Sequence, residues 1–230
     1  MNKAREIGIL LALALVLAGV PGRSAVASAA ASRCLPGHPY LLAENRRAQV
    51  FTEGPPGEAS PQVYACAYGR RRTYRLGAEI SDQAWEDSLL VPESSFNPYQ
   101  LAGSTLAYET EAPYRNAAGD EAVAWTIVVR DLLSGRVLRR SPTGPSPGPG
   151  VVGGANVAEE MVVKPDGAVA WIVAGRENVA GRYPWEIWAY DRTGRRMLAA
   201  GIDVDSTSLT LIGGTLFWTR GGHVGAARLR

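Results

Sequence analysis

The sequence predicts an all-β chain built from four repeated units, and three observations carry that prediction. The first is a phrase that occurs four times, a turn followed by a short apolar strand with an aromatic: ENRRAQVFTE (Glu44–Glu53), LAGSTLAYET (Leu101–Thr110), VKPDGAVAWI (Val163–Ile172) and LIGGTLFWTR (Leu211–Arg220). Aligned on Val50, Leu106, Val169 and Leu216, the copies recur about every 47 to 63 residues, a spacing that marks an array of supersecondary units. The second is a downstream phrase: WTIVVRDLLSGRVL (Trp125–Leu138) matches WEIWAYDRTGRRML (Trp185–Leu198), with VYACAYGRRRTYRL (Val63–Leu76) a looser copy. The third is that no segment beyond the N-terminal residues sustains a helical period.

The chain opens on a targeting segment. Lys3 and Arg5 precede an apolar run from Ile7 to Ala18, and Ala25-Val26-Ala27 has the small-x-small pattern of a secretory cleavage site, with Ala29 and Ala31 as a second choice. A run of about a dozen residues falls short of the ~20 that span a bilayer, so residues 1–27 are expected to be a cleaved signal peptide, an uncleaved anchor being the alternative. Arg33 directly before Cys34 argues against lipid attachment. Residues 28–38 then form an N-terminal tail and residues 39–230 the β domain, with no stable membrane insertion after cleavage.

The formal charge of +2 belongs to the leader: residues 1–27 hold Lys3, Arg5, Arg23 and Glu6, and without them acids and bases balance. A neutral mature chain offers no electrostatic case for nucleic acid, whose binding rests on neutralised phosphates. Cys34 and Cys66 are the only cysteines. In an exported chain they are expected to form a disulfide, which stabilises by about 3 to 4 kcal/mol on the chain-entropy argument. With only His38 and His223 besides, a metal site lacks ligands, and nothing calls for a cofactor.

Each unit reads as four strands. An inner strand leads into the turn, the aromatic strand follows, a third opens on Trp or Tyr with alternating apolar residues, and an outer one comes after Gly. In the second unit these fall near Tyr99–Ala102, Thr105–Thr110, Trp125–Asp131 and Arg136–Arg140. The last unit lacks an obvious fourth strand, and Tyr40–Ala43 is the candidate to supply it by pairing the two chain ends. Blades of this kind bury one against the next and leave only short edges.

VKPDGAVAWI, with the Asp-x-x-Gly hairpins downstream, resembles the Pro-Asp-Gly strand phrase of bacterial secreted and periplasmic β-propeller repeats. The resemblance runs from Pro39 to the end and implies a β-propeller-like domain of about four blades of three to four antiparallel strands. It departs from the family in having one full Pro-Asp-Gly copy and four units instead of six or seven. Its motifs concern fold and imply no activity.

Most candidate chemistry dissolves on inspection. Gly144-Pro145-Ser146-Pro147-Gly148 satisfies G-x-S-x-G, yet prolines on both sides of Ser146 forbid the helix a nucleophile elbow needs. Asp203-Val-Asp205-Ser-Thr-Ser starts like a calcium loop but lacks the Gly and Glu that complete it, so a turn is expected. Arg70, Arg71, Arg72, Tyr74 and Arg75 fall at a hairpin and read as a charged edge that deters strand addition. Phe51, Tyr108, Trp171 and Trp218 recur at one blade position and are expected to pack between blades, while Trp125 and Trp185 could reach the surface.

Function is expected where the connections are long. Turns from first to second and third to fourth strands are short, whereas Glu53–Gln62, Glu111–Ala124, Gly175–Pro184 and the segments between units are extended and, in an up-and-down blade, emerge on one end. Tyr114, Arg115, Arg176, Arg182 and Tyr183 lie there and suit recognition of a protein, peptide or polar glycan. The alternatives are a hydrolase or lyase acting on a glycan or lactone through a carboxylate pair, such as Asp120 or Glu121 with Glu177, and a purely structural envelope or assembly protein. The reading makes the chain secreted or envelope-located. N-terminal sequencing of the exported protein should place its first residue near Ser28, and a product retaining Ile7–Ala18 would contradict this.

Overall fold

The computed structural model describes Cys34 and residues 40–52, 62–70, 72–78, 99–115, 121–144, 157–175 and 183–230. The expected signal peptide and, Cys34 apart, the expected 28–38 tail lie outside them. The described residues form strands β1 (Tyr40–Glu44), β2 (Ala48–Thr52), β3 (Gln62–Ala67), β4 (Thr73–Ala78), β5 (Tyr99–Ala102), β6 (Thr105–Arg115), β7 (Glu121–Asp131), β8 (Val137–Pro142), β9 (Ala158–Val163), β10 (Val169–Ala174), β11 (Trp185–Asp191), β12 (Gly194–Gly201), β13 (Thr210–Ile212), β14 (Thr215–Arg220) and β15 (His223–Arg228). No helix occurs among them. The strands fall into four antiparallel meanders in chain order, β1–β4, β5–β8, β9–β12 and the three-stranded β13–β15.

Alternation explains how these sheets pack. Neighbouring side chains on a strand face opposite sides, so a central strand that is apolar at every position must be covered twice. In β2 all five residues are buried, and in β10 Val169–Val173 are. Ala48, Val50 and Ala65 of the first sheet pack with Tyr99, Leu106 and Tyr108 of the second. Ala107, Ile127 and Val129 on the second sheet's other face meet Met161, Val169 and Trp171 of the third. Ala170, Ile172 and Ile187 of the third meet Leu216 and Trp218 of the fourth. The sheets therefore stack in series, and among the described residues no core cluster joins the first to the fourth.

Three of the four recurring aromatics pack between sheets as the repeat predicts, and the first copy differs in register. Tyr108, Trp171 and Trp218 are buried against the sheet that precedes their own. Phe51 is buried too, on the face of the first sheet turned away from the second, where it stacks on Tyr64 at 5.9 Å between centroids. Val50 points the other way, toward the second sheet, whereas Leu106, Val169 and Leu216 face back. The first copy is thus aligned on its aromatic and not on Val50, because period-2 alternation makes a one-residue slip reverse the face. Cys66 shares the Phe51 face, and its disulfide to Cys34 fastens that residue to the first sheet with a Cα–Cα distance of 6.1 Å.

Two expectations about strand limits are corrected. Tyr40–Glu44 does not complete the last unit: it pairs with β2, Leu41 opposite Phe51, because the turn at Asn45 folds it straight back. Asn45 Oδ1 accepts from the amides of Arg47 and Ala48 at 2.8 and 3.0 Å, closing that turn locally. Glu111–Ala124 is not a loop either. The β6–β7 ladder continues through Ala112 opposite Ala124 to Arg115 opposite Glu121. β5 ends its pairing at Tyr108 and β8 at Thr126, so the last rungs form a two-stranded ribbon that projects beyond the sheet. Pro113 is admitted there because β6 has no neighbour on its other side among the described residues.

Three of the short turns use an aspartate oxygen to hold backbone amides. Asp131 accepts from the amides of Leu133 and Ser134, Asp166 from that of Ala168 and Asp191 from that of Thr193. This is why Asp recurs ahead of Gly. Gly135 closes one such turn at φ +76°, and a Cβ there would overlap the Tyr74 ring of the neighbouring sheet. Both backbone and packing therefore require glycine.

Trp171 is fully buried and its Nε1 donates to the Thr143 carbonyl at 2.5 Å, tying the third sheet to the end of β8. Trp171→Ala should cost about 3 to 5 kcal/mol in urea unfolding. An equal loss from exposed Met197→Ala would show that inter-sheet packing is not what Trp171 supplies.

Candidate functional site

The meander gives the molecule two unlike ends. The β5–β6, β7–β8, β9–β10, β11–β12 and β13–β14 turns share one end, and hydrogen bonds lace it from sheet to sheet. Asn45 Nδ2 donates to the Gly103 carbonyl at 3.0 Å, Thr105 Oγ1 to that of Pro165 at 2.8 Å, and the Arg230 amide to Asp191 Oδ2 at 2.7 Å. The opposite end holds the strand ends that flank residues 53–61, 79–98, 116–120, 145–156 and 176–182, and those residues lie outside the described ones.

Of the expected contact residues, Tyr114 and Arg115 stand at the outer rungs of the ribbon, opposite Ala122 and Glu121. The projecting strands place both at the long-connection end. Arg176 and Arg182 lie outside the described residues, as do Asp120, Glu177, Arg71, His38 and Ser146. Tyr183 is half-buried just before β11, beside Pro184, whose carbonyl accepts from the Gly175 amide at 2.6 Å. The long-connection end thus holds Tyr114, Arg115 and Tyr183 on adjacent sheets.

The remaining candidates take structural roles. Trp125 is buried, with its carbonyl accepting from the Thr143 amide at 3.0 Å, and Trp185 packs against the core between the third and fourth sheets, so neither presents a free ring. Asp205 closes a turn, Oδ1 accepting from the Thr207 amide and hydroxyl at 3.0 Å, and Asp203 pairs with Arg220. Among the described residues no group of three His, Cys, Asp or Glu could hold a metal ion. Arg72 stacks over Tyr74 and Arg75 donates to Gln62, as an edge strand's solvated charges would. His223 is exposed.

Two carboxyl groups with unusual settings escaped the sequence reading. Glu160 of β9 accepts from the Leu209 amide at 2.6 Å, and burial together with the nearby Asp205 and Glu159 charges raises its pKa. Glu109 of β6 is buried between the second and third sheets. Burial pushes its carboxyl up to about 8, although the Thr143 hydroxyl at 2.7 Å and the Ala158 amide at 3.2 Å favour the charged form. One signal was available: Glu109 shares the alternation phase of Ala107, on a strand whose two faces are both apolar.

No protein-family model matches this chain, and no curated protein matches it. The geometry alone carries the functional argument.

Glu109 yields a pH prediction. Its folded pKa lies above the ordinary 4.5, so its contribution is fully present below that value and is lost as pH rises through about 8. Between those limits stability should fall by about 1.4 kcal/mol per pH unit from this group. Chemical unfolding from pH 5 to 9 should show that slope, and Glu109→Gln should flatten it. An unchanged slope in the variant would assign the titration elsewhere.

Proposed function

We propose that the chain is an extracytoplasmic recognition protein whose four sheets act as blades of a propeller-like scaffold and whose long-connection end binds a protein, peptide or polar glycan. The observation that carries this is the β6–β7 ribbon. Its rungs run on past the last residues that β5 and β8 can pair, to Tyr114 and Arg115. A ribbon that leaves its sheet gives up lateral hydrogen bonding, which a purely structural blade would keep. Tyr114 and Arg115, which offer an amphipathic ring and a planar cation, stand on rungs at the same end as Tyr183, and this supports the reading.

The Cys34–Cys66 disulfide supports an extracytoplasmic setting, since structural disulfides persist in oxidising compartments. The propeller reading rests on the meander order, on sheet-upon-sheet packing and on the inner strands, where β5 contacts both β1 and β9. Inner-strand contacts of that kind are what radial stacking produces.

The test is capture of partners from the extracytoplasmic fraction by immobilised protein. Replacing Tyr114 and Arg115 together with Ser should abolish capture while leaving thermal unfolding within about a degree, as surface substitutions do. Undiminished capture would remove the ribbon from the binding site. Turnover of a glycan or lactone that survives the double replacement and is lost on Glu177→Gln would favour the hydrolase reading instead.

A further inference from the structure

We propose that the short-turn end of the third and fourth sheets holds a second binding site, a cleft for a multiply charged phosphate or sulfate compound. The cleft has a volume of about 640 Å³, and its walls include Arg139, Lys164, Asp166, Arg192, Arg228 and Arg230. They come from β8 and from the β9–β10 and β11–β12 turns, together with the end of β15 and the residues after it. Five cationic side chains thus surround one carboxylate. The chain beyond its leader is neutral as a whole, so this is a local segregation of charge and not a share of a general excess.

The internal contacts of the cleft pair Lys164 with Asp166 and leave the arginine charges unneutralised by any described carboxylate. Lys164 Nζ donates to Asp166 Oδ2 at 2.9 Å and to the Leu229 carbonyl at 3.1 Å. Arg139 Nε donates to the Gly167 carbonyl at 2.9 Å, and its guanidinium lies 5.0 Å from the Tyr190 ring centroid. Arg192, Arg228 and Arg230 have no acidic partner for their side chains among the described residues. Asp191, beneath them, is already occupied by the Arg196 fork at 2.7 and 2.9 Å and by the Arg230 amide. The Gly213-Gly214 turn on the cleft wall has φ of +57° and +92°, and its two amides donate to none of the described residues. Unengaged amides beside arginine forks are the donors that phosphate and sulfate oxygens accept from.

Charge and volume limit the occupant. An excess of several positive charges, mostly guanidinium, selects an anion with more than one charge and planar faces that match the fork. The volume lies within the ~300 to 1,000 Å³ usual for small-ligand sites and suits an oligophosphate or a sulfated disaccharide. The cleft and the β6–β7 ribbon are at opposite ends of the sheets, so the two sites stand or fall separately.

Isothermal titration of the exported chain with tripolyphosphate, and separately with a sulfated disaccharide, in ~150 mM salt tests the site where exposed charges are largely screened. At least one should bind saturably at one site per chain, and the tighter of the two identifies the phosphate or sulfate class. Arg192→Ala and Arg228→Ala should each weaken that binding at least tenfold without moving the thermal midpoint, since neither side chain holds a partner in the free protein. Arg140→Ala, an exposed arginine on β8 outside the cleft, should leave it unchanged. Failure of both compounds to saturate, or equal weakening by Arg140→Ala, would overturn the proposal.

Discussion

Everything in this structure depends on the need of the second strands of the first three sheets, β2, β6 and β10, to be covered on both faces. A single four-stranded meander with an apolar residue at every position of its second strand cannot be stable alone, because one of its faces would meet water. The second sheet meets that need by packing one face on the first and the other on the third, and the third repeats the arrangement toward the fourth. Stability is therefore a property of the series and not of any unit, as in other repeat architectures. The fourth sheet is covered on one face among the described residues. Its inward Leu216 and Trp218 are buried, whereas Ile212 and Val224 are exposed at 64% and 74% of their surface.

Stacked sheets can slide unless something fixes their register, and the short-turn end does so. There the turn residues have two jobs: Asn45 holds its own turn through Oδ1 and reaches the next sheet through Nδ2, and Asp191 holds the Thr193 amide while accepting from Arg230. Burial works against the ionised form of Asp191, but the hydrogen bonds from Arg196, Thr193 and Arg230 outweigh it and hold its carboxyl well below the usual carboxylate range. Arg195 adds a link from the third sheet to the Gly144 carbonyl while its guanidinium covers the Trp188 ring at 3.8 Å. An end riveted in this way is a rigid place to collect charge. The other end, with its long connections and projecting ribbon, is free to vary without disturbing the stack.

Polar groups inside the stack mark where packing and hydrogen bonding compete. Glu109 gains two donors but stays in a medium that disfavours its charge, so its protonation follows the integrity of the interface between the second and third sheets. Tyr74 is buried beneath the Gly135 turn with its hydroxyl unpaired among the described residues, and it is flanked by the guanidinium groups of Arg72 and Arg130 at 5.1 and 5.6 Å from the ring centroid. Its ring satisfies the geometry of the contact and its hydroxyl does not.

The sequence by itself determined what depends on neighbours along the chain. Alternation marked the strands, Gly and Asp marked the turns, and the recurrent aromatic marked the buried face of each unit, because a strand's pleat and a turn's backbone are set by a few consecutive residues. With two cysteines, the disulfide admitted one pairing. Tertiary structure decided what depends on which sheet lies opposite. It extended β6 and β7 into a ribbon where a loop had been expected, since a ladder lengthens wherever both partners remain in register. It returned Tyr40–Glu44 to its own sheet, sealed Glu109 between two others, and brought Arg139, Lys164, Arg192 and Arg228 to one cleft from four separate stretches. No local pattern encodes such meetings, because they follow from the order of stacking and the register of the turns.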